Sequence, residues 1–215
     1  MKKLFTLVFI LMISIPALAQ IDLRGGMGIS FSSTPALKDY LNQSYASYNN
    51  EVGSFYSTVS FAGEAGYFIT NTFQLSIEAS YSLNSFTFGS TIGQYDLSYG
   101  ITAPTIIAYY VLPGIGYYFK FGGGVGPRFL SVDEKQPGSP VTDKFSTTGF
   151  GLLLKGEANT SLGSGVFANL GGDICYDAIG VPKQNGTPLR NSVIKEDVSF
   201  NTLSFGVHLG LTYKF

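Results

Sequence analysis

From Leu203 to Phe215 every odd-numbered position is apolar (Leu203, Phe205, Val207, Leu209, Leu211, Tyr213, Phe215), while Ser204, Gly206, His208, Gly210, Thr212 and Lys214 between them are small or polar. A period of two marks a β-strand with one apolar face, because successive side chains of a strand point to opposite sides. The same alternation recurs over about 21–32, 58–69, 73–84, 97–112, 115–131, 147–159 and 165–177, which with the last segment makes eight strands. The connections alternate too. Asn71-Thr72, Pro113-Gly114 and Leu162-Gly163 are tight turns, whereas 33–57, 85–96, 132–146 and 178–199 are long. Short connections on one side, long ones on the other and both termini on the short side predict an all-β fold, an eight-stranded antiparallel transmembrane up-and-down β-barrel with short periplasmic turns and long extracellular loops.

A soluble, lipocalin-like barrel with an apolar inside gives the same alternation, so composition has to decide which face meets water. Only 13% of the residues are charged, against 27 glycines, 14 tyrosines and 18 phenylalanines. A solvated exterior carries about 25–35% charged residues. Here the polar parity is mostly Gly, Ser and Thr, which suits a narrow interior, and the apolar parity carries no charge. Aromatics on the apolar parity collect near strand ends: Tyr67, Phe73, Tyr109, Tyr117, Tyr213 and Phe215 toward the short turns, and Phe31, Tyr81, Tyr99, Phe129 and Tyr176 toward the long loops. Two such belts are expected at the two membrane–water interfaces, although Trp is absent.

Lys2 and Lys3, an apolar run from Leu4 to Ile15, and Ala17-Leu18-Ala19 read as a secretory signal peptide over 1–19, cleaved before Gln20 and leaving a barrel domain over 20–215. The alternative, a short membrane anchor, has too few apolar residues to span comfortably. No cysteine follows the cleavage site, so no lipoprotein anchor is expected. A net charge of -1 lacks the basic excess of a nucleic-acid binder. One cysteine, Cys175, and one histidine, His208, offer neither a disulfide framework nor a metal cluster, and no cofactor is expected.

The signal peptide, the eight alternating strands and the terminal Leu209-Gly-Leu-Thr-Tyr-Lys-Phe215 resemble the OmpA/OmpX-like and PorT-like small outer-membrane barrel families. The resemblance covers the chain after residue 19 and is one of pattern, with only the C-terminal segment acting as a motif. It implies a Gram-negative outer membrane, contact with its lipids, and insertion by the barrel assembly machinery, which in those families recognises a terminal segment such as Leu209, Leu211, Tyr213 and Phe215. It does not imply one activity, because such barrels include adhesins, narrow channels, secretion accessories and lipid enzymes. Since nothing follows Phe215, no peptidoglycan-binding domain of the OmpA kind is expected.

The charges on the inner parity are Arg24, Lys120, Arg128 and Lys155 against Glu64, Glu78, Glu157 and Asp173. Balanced signs in a cramped lumen predict a pairing network that includes His208; a charged constriction or a proton path is the functional alternative. His208 with Ser204 is the one candidate acid–base pair, but an inward His cannot touch an acyl chain, so a lumen histidine bonded to Glu64 or Glu78 is the plainer expectation. Gly122-Gly123-Gly124-Val125-Gly126 lies inside a strand with no helix after it, which removes the anion site of a phosphate loop. Gly122, Gly124 and Gly126 are expected to make room for Arg128 or Tyr118. Cys175 is expected to be a small lumen residue, and nothing fixes Glu64 and Glu78 as a glycosidase pair.

Thr34-Pro35 opens a helical pattern over 36–48 in which Leu37, Tyr40, Leu41, Ser44, Tyr45 and Tyr48 share a stripe. That stripe can pack on the barrel mouth, lie at the outer membrane interface, or bind a surface partner. Asp133-Glu134-Lys135-Gln136-Pro137-Gly138 and Pro182-Lys183-Gln184-Asn185-Gly186 are expected to be solvated, mobile loops. The functional expectation is a non-enzymatic barrel with a filled lumen, whose first loop carries recognition through Leu37, Tyr40, Leu41, Tyr45 and Tyr48. A narrow pore for small or hydrophobic solutes and a lipid-modifying enzyme are the alternatives.

Overall fold

The computed structural model describes residues 20–46, 50–91 and 93–215; residues 1–19, expected to be a signal peptide, and Tyr48 lie outside the described residues. Eight long strands form the wall: β1 (Ile21–Ser33), β2 (Tyr56–Thr70), β3 (Phe73–Ser90), β4 (Gly93–Pro113), β5 (Tyr117–Lys135), β6 (Thr142–Gly163), β7 (Val166–Ala178) and β12 (Thr202–Lys214). Each pairs antiparallel with its neighbours, β12 with β1 and β7, and β5 with β6, so the sheet closes and leaves no edge within the ring. Paired residues followed once round the ring run Asp22, Gly66, Ser76, Ile107, Gly124, Leu153, Cys175, Ser204 and back to β1 at Ser32, ten residues beyond the start. With strands about 4.8 Å apart and residues rising about 3.3 Å, that stagger tilts the strands by about 40° and sets a backbone radius of about 8 Å. An interior that narrow leaves most of its space to side chains.

The outer face is apolar all the way round: Leu23, Ile29, Ile77, Ile106, Leu154, Leu170, Leu209 and Leu211 are all exposed. At this tilt about ten residues cross the apolar band, which the 13 residues of β1, β7 and β12 supply. The 18 to 22 residues of β3 to β6 are too long for it. They continue above the membrane as a four-stranded wing, so much of 85–96 and 132–146, expected as loop, is strand. The reason is visible in the alternation. In the wing Phe88, Tyr95, Leu97, Val132 and Phe145 point inward and are buried, while the outward residues are polar, the pattern of a sheet standing in water.

Over the mouth lies helix α1 (Pro35–Ser44), started by Pro35 at its first turn and ended where the N–H groups of Tyr45 and Ala46 both donate to the Leu41 carbonyl. Its apolar stripe faces down. Leu37, Tyr40 and Leu41 are buried against Tyr95, Leu97, Tyr99, Leu130 and Val132, together with Ile179, Leu189, Val198 and Phe200 from the connection before β12. That connection carries four two-residue strands, β8 (Lys183–Gln184), β9 (Thr187–Pro188), β10 (Arg190–Asn191) and β11 (Glu196–Asp197), and Asn191 donates to the Gln43 side chain. The expected recognition stripe is therefore turned into the barrel mouth, and a partner cannot reach Leu37, Tyr40 or Leu41 while α1 is in place.

Candidate functional site: the filled lumen and its cap

Inward side chains fill the lumen in levels, starting at the periplasmic end. Phe68, Tyr118 and Phe167 stack edge-on there, with the Lys214 ammonium 4.3 Å from the Phe68 ring centre. Just above, Asp22, Gln74, Asn159, Asn169 and Thr212 are all buried.

The ion-pair network occupies the next level. Glu64 lies within 3.1 Å of Arg24, 3.4 Å of Lys120 and 3.2 Å of Lys155. Glu157 meets the same three cations at 3.3, 3.1 and 3.1 Å, and Glu78 pairs with Arg24 at 2.5 Å and with Lys155. Asp22, absent from the expected set, stands 3.6 Å from Lys120. Register makes this necessary: Glu64 and Glu78 are directly opposed on β2 and β3, a repulsive pairing that holds only because Arg24 and Lys155 contact both. His208 was expected beside Glu64 or Glu78. Its imidazole instead spans Glu157 (Nε2 to Oε1, 3.5 Å) and Asp173 (Nδ1 to Oδ2, 3.4 Å), because it lies over Gly171, where any Cβ would collide with the ring.

Arg128 is held apart from the network. It donates to Asp177 at 2.6 Å and to Thr105 at 3.2 Å, and its guanidinium packs against bare Gly151. Cys175 sits beside this pair, 3.2 Å from Asp177. Gly122 and Gly124 do make room, but for Tyr109 and Ile107 of β4 rather than for Arg128 or Tyr118.

Two aromatics assigned to the membrane belts are inside. Tyr109 donates to Glu64 at 3.2 Å with the Lys120 ammonium over its ring, and Tyr99 donates to Tyr56 at 3.1 Å. The other nine belt residues are exposed on the outer face.

Above the network is a chamber of about 100 Å³, walled by serine and threonine hydroxyls of β1, β2, β3 and β12 on one side and by Ile101, Ala103 and Leu153 on the other. A chain of hydroxyls crosses over it, from Thr202 to Thr34 (2.8 Å), Thr34 to Tyr56 (2.7 Å) and Tyr56 to Tyr99. In the cap Glu134, expected in a mobile loop, is buried and accepts hydrogen bonds from Tyr40 and from Tyr95 at 2.6 Å, while Tyr45 stacks on Tyr95 and donates to Gln136.

Burial, and then the Glu134 carboxylate, push the Tyr40 hydroxyl well above its ordinary value of 10. A group whose folded pKa is raised contributes stability that is intact below its unfolded value and lost as pH rises above it. The cap is thus expected to hold through neutral pH and to loosen above about pH 10. Limited proteolysis of the 33–57 segment across that range checks this, and Tyr40→Phe should flatten the response.

No family model matches the sequence, and no curated protein matches it either. Among solved structures the fold is similar to that of Neisserial surface protein A, with a TM-score of 0.55 at 14% identity over 91% of this chain and 97% of that one. It is also similar to Ail, the attachment invasion locus protein of Yersinia pestis, with a TM-score of 0.52 at 12% identity over 91% and 98%. Ail has been solved in complex with the heparin analogue sucrose octasulfate as well, and that structure matches with a TM-score of 0.52 at 9% identity, over 91% of this chain and 99% of that one. At such identities the likeness is one of fold. A closed eight-stranded ring, apolar outside and polar inside, gives this chain the fold of the small outer-membrane β-barrels, with an outer face suited to lipid.

Proposed function

We propose that the protein is a non-conducting, non-enzymatic surface barrel whose extracellular superstructure recognises a partner. The observation that carries this reading is the burial of side chains across the lumen: Lys120, Gln74 and Tyr109 have no exposed surface, and Leu37 and Leu41 are equally covered in the mouth. His208 and Ser204 face the lumen chamber rather than lipid, which favours a structural place for both over acyl-chain chemistry.

Recognition then falls to the wing. β2 pairs with β3 only as far as Val59 and Leu83, Asn84 and Phe86 still meet Ser57 and Tyr56 through their side chains, and Thr87–Ser90 has β4 on one side and no paired strand on the other among the described residues. That segment has no charge and no proline, and such an edge can accept an extended peptide as a further strand.

Planar-bilayer recording of the refolded protein is expected to show no steady conductance, and a porin-like current would overturn the non-conducting reading. Replacing 85–96 by a tight turn is expected to preserve heat-modifiable migration while reducing the barrel's retention on immobilised extended peptides. Unchanged retention would remove the wing from the proposal.

A further inference from the structure

The ladder between β4 and β5 fails at one place inside the membrane band. Thr102 pairs with Phe129 and Ile106 with Val125, but the three residues between them on each strand do not pair across. Each keeps its partner on the other side, Ala103, Pro104 and Thr105 on β3, and Gly126, Pro127 and Arg128 on β6. The register explains the failure. It sets Pro104 opposite Pro127, with the Pro104 carbonyl aimed across at Gly126, and neither proline nitrogen carries a hydrogen to give to the facing strand. Two prolines face to face in a closed wall remove two ladder bonds where lipid supplies no substitute. The other irregularities of register, at Phe68/Thr70 and Ser161/Gly163, lie beside the periplasmic turns. This one lies just under the extracellular aromatic belt, two residues from the Thr102 that pairs with both Tyr81 and Phe129.

Side chains from the lumen stand in for the missing bonds. Arg128 Nη1 donates to the carbonyls of Gly126 at 3.2 Å and Pro127 at 3.1 Å, while Thr105 and Ser80 donate to the Ala103 carbonyl at 3.3 and 3.4 Å. Asp177 fixes the guanidinium from the other side at 2.6 Å. A seam held by rotatable side chains opens at less cost than one held by backbone pairs. Directly behind it is the chamber, with Ile101, Ala103 and Leu153 as its apolar wall and hydroxyls opposite. In front of it Val125, Pro127, Phe129 and Phe150 are exposed on the lipid face.

We propose that the β4–β5 seam is a lateral doorway between the outer leaflet and the lumen chamber, latched by Arg128, through which a small neutral amphiphile enters. The guest is neutral because it arrives through hydrocarbon, where a charge is costly. It is amphiphilic because one wall of the chamber is apolar and the other carries hydroxyls. It is small because a chamber of about 100 Å³ holds roughly seven to ten water-sized groups. The ion-pair network lies below the chamber whether or not the seam opens, so the doorway is independent of the non-conducting reading.

Cys175, the single cysteine, lines the chamber 3.7 Å from Arg128 Nη2 and reports arrival there. The refolded full barrel in phosphatidylcholine vesicles is treated with N-ethylmaleimide, a small neutral amphiphile, or with a quaternary-ammonium thiosulfonate, and Cys175 labelling is followed by mass. We expect the maleimide to react and the cation to lag far behind. Pro104→Val combined with Pro127→Val returns both N–H groups and should slow maleimide labelling by about tenfold or more. Arg128→Lys keeps the charge but loses the fork that spans two carbonyls, and should speed it. Labelling as fast with both prolines replaced as in the wild type would overturn the proposal, because entry by the mouth is indifferent to this ladder. Amide exchange of the wild type decides whatever the thiol's reactivity or the variants' folding. The amides of Thr102, Ile106, Val125 and Phe129 should exchange faster than those of Leu152 and Leu154, which pair with β7, and equal protection would refute the doorway.

Discussion

Replacing Glu64 by leucine is expected to destabilise the barrel by about 3–5 kcal/mol, the cost of leaving buried charges without a counter-ion. The Glu64 side chain has no exposed surface and contacts Arg24, Lys120, Lys155 and the Tyr109 hydroxyl, so its loss strips one partner from three cations at once. The cations cannot turn to water, because Lys120 and Arg24 are themselves enclosed. Nor can they all crowd onto Glu157 and Glu78 without drawing together. By contrast Phe129→Leu, one position from the Arg128 pair but on the lipid face, exchanges one apolar side chain for another in an apolar solvent and should change stability little. Urea unfolding followed by heat-modifiable gel migration compares the two. Similar midpoints for Glu64→Leu and wild type would mean that water reaches the network, and the filled lumen would fall with it.

How much of this was legible in the sequence depends on which solvent each face meets. β12 was fully legible because one parity faces lipid and the other the lumen for its whole length. β4 was not, since it crosses two regimes. Ile106, Tyr110 and Leu112 face lipid from even positions, whereas Tyr95, Leu97, Tyr99 and Ile101 are apolar at odd positions because they form the inside of a cap that stands in water. Taking the odd positions for the membrane face placed Tyr99 and Tyr109 outside. The same inversion hid the wing, because a strand whose outer face turns polar resembles the start of a loop.

Residue types and parity sufficed to name most of the charged lumen set, and Asp22 and Asp177 carry the same signal, two positions from Arg24 and Cys175 on the inner parity. Which charge meets which was beyond parity. Partnership depends on the ten-residue stagger around the ring, which carries His208 to Glu157 and Asp173 rather than to β2 or β3, and no single strand encodes that stagger. For 36–48, helical spacing fixed the stripe but not its direction. Leu37 and Leu41 are buried because the wing offers them an apolar wall, and the polar outward residues of that wall give its sequence the pattern of a loop.

The lipid face is open to a depth-resolved test on β12. Leu209 is among the most exposed apolar residues of the strand, pairs with Met27 and Leu170, and lies within the span that the apolar band covers. Leu209→Arg places a guanidinium in hydrocarbon and is expected to cost about 2–4 kcal/mol of folding free energy in a bilayer. Leu203 faces the same way at the extracellular end of the strand, where the long arginine side chain reaches water, and Leu203→Arg should cost about 0–1 kcal/mol. The difference between the two variants is the discriminating quantity, because protein packing around both is sparse and only a membrane imposes a gradient with depth. Folding titrations in phosphatidylcholine vesicles measure it directly. If the two arginines cost the same, the apolar face is not solvated by lipid, and the membrane-spanning reading of the alternation is wrong.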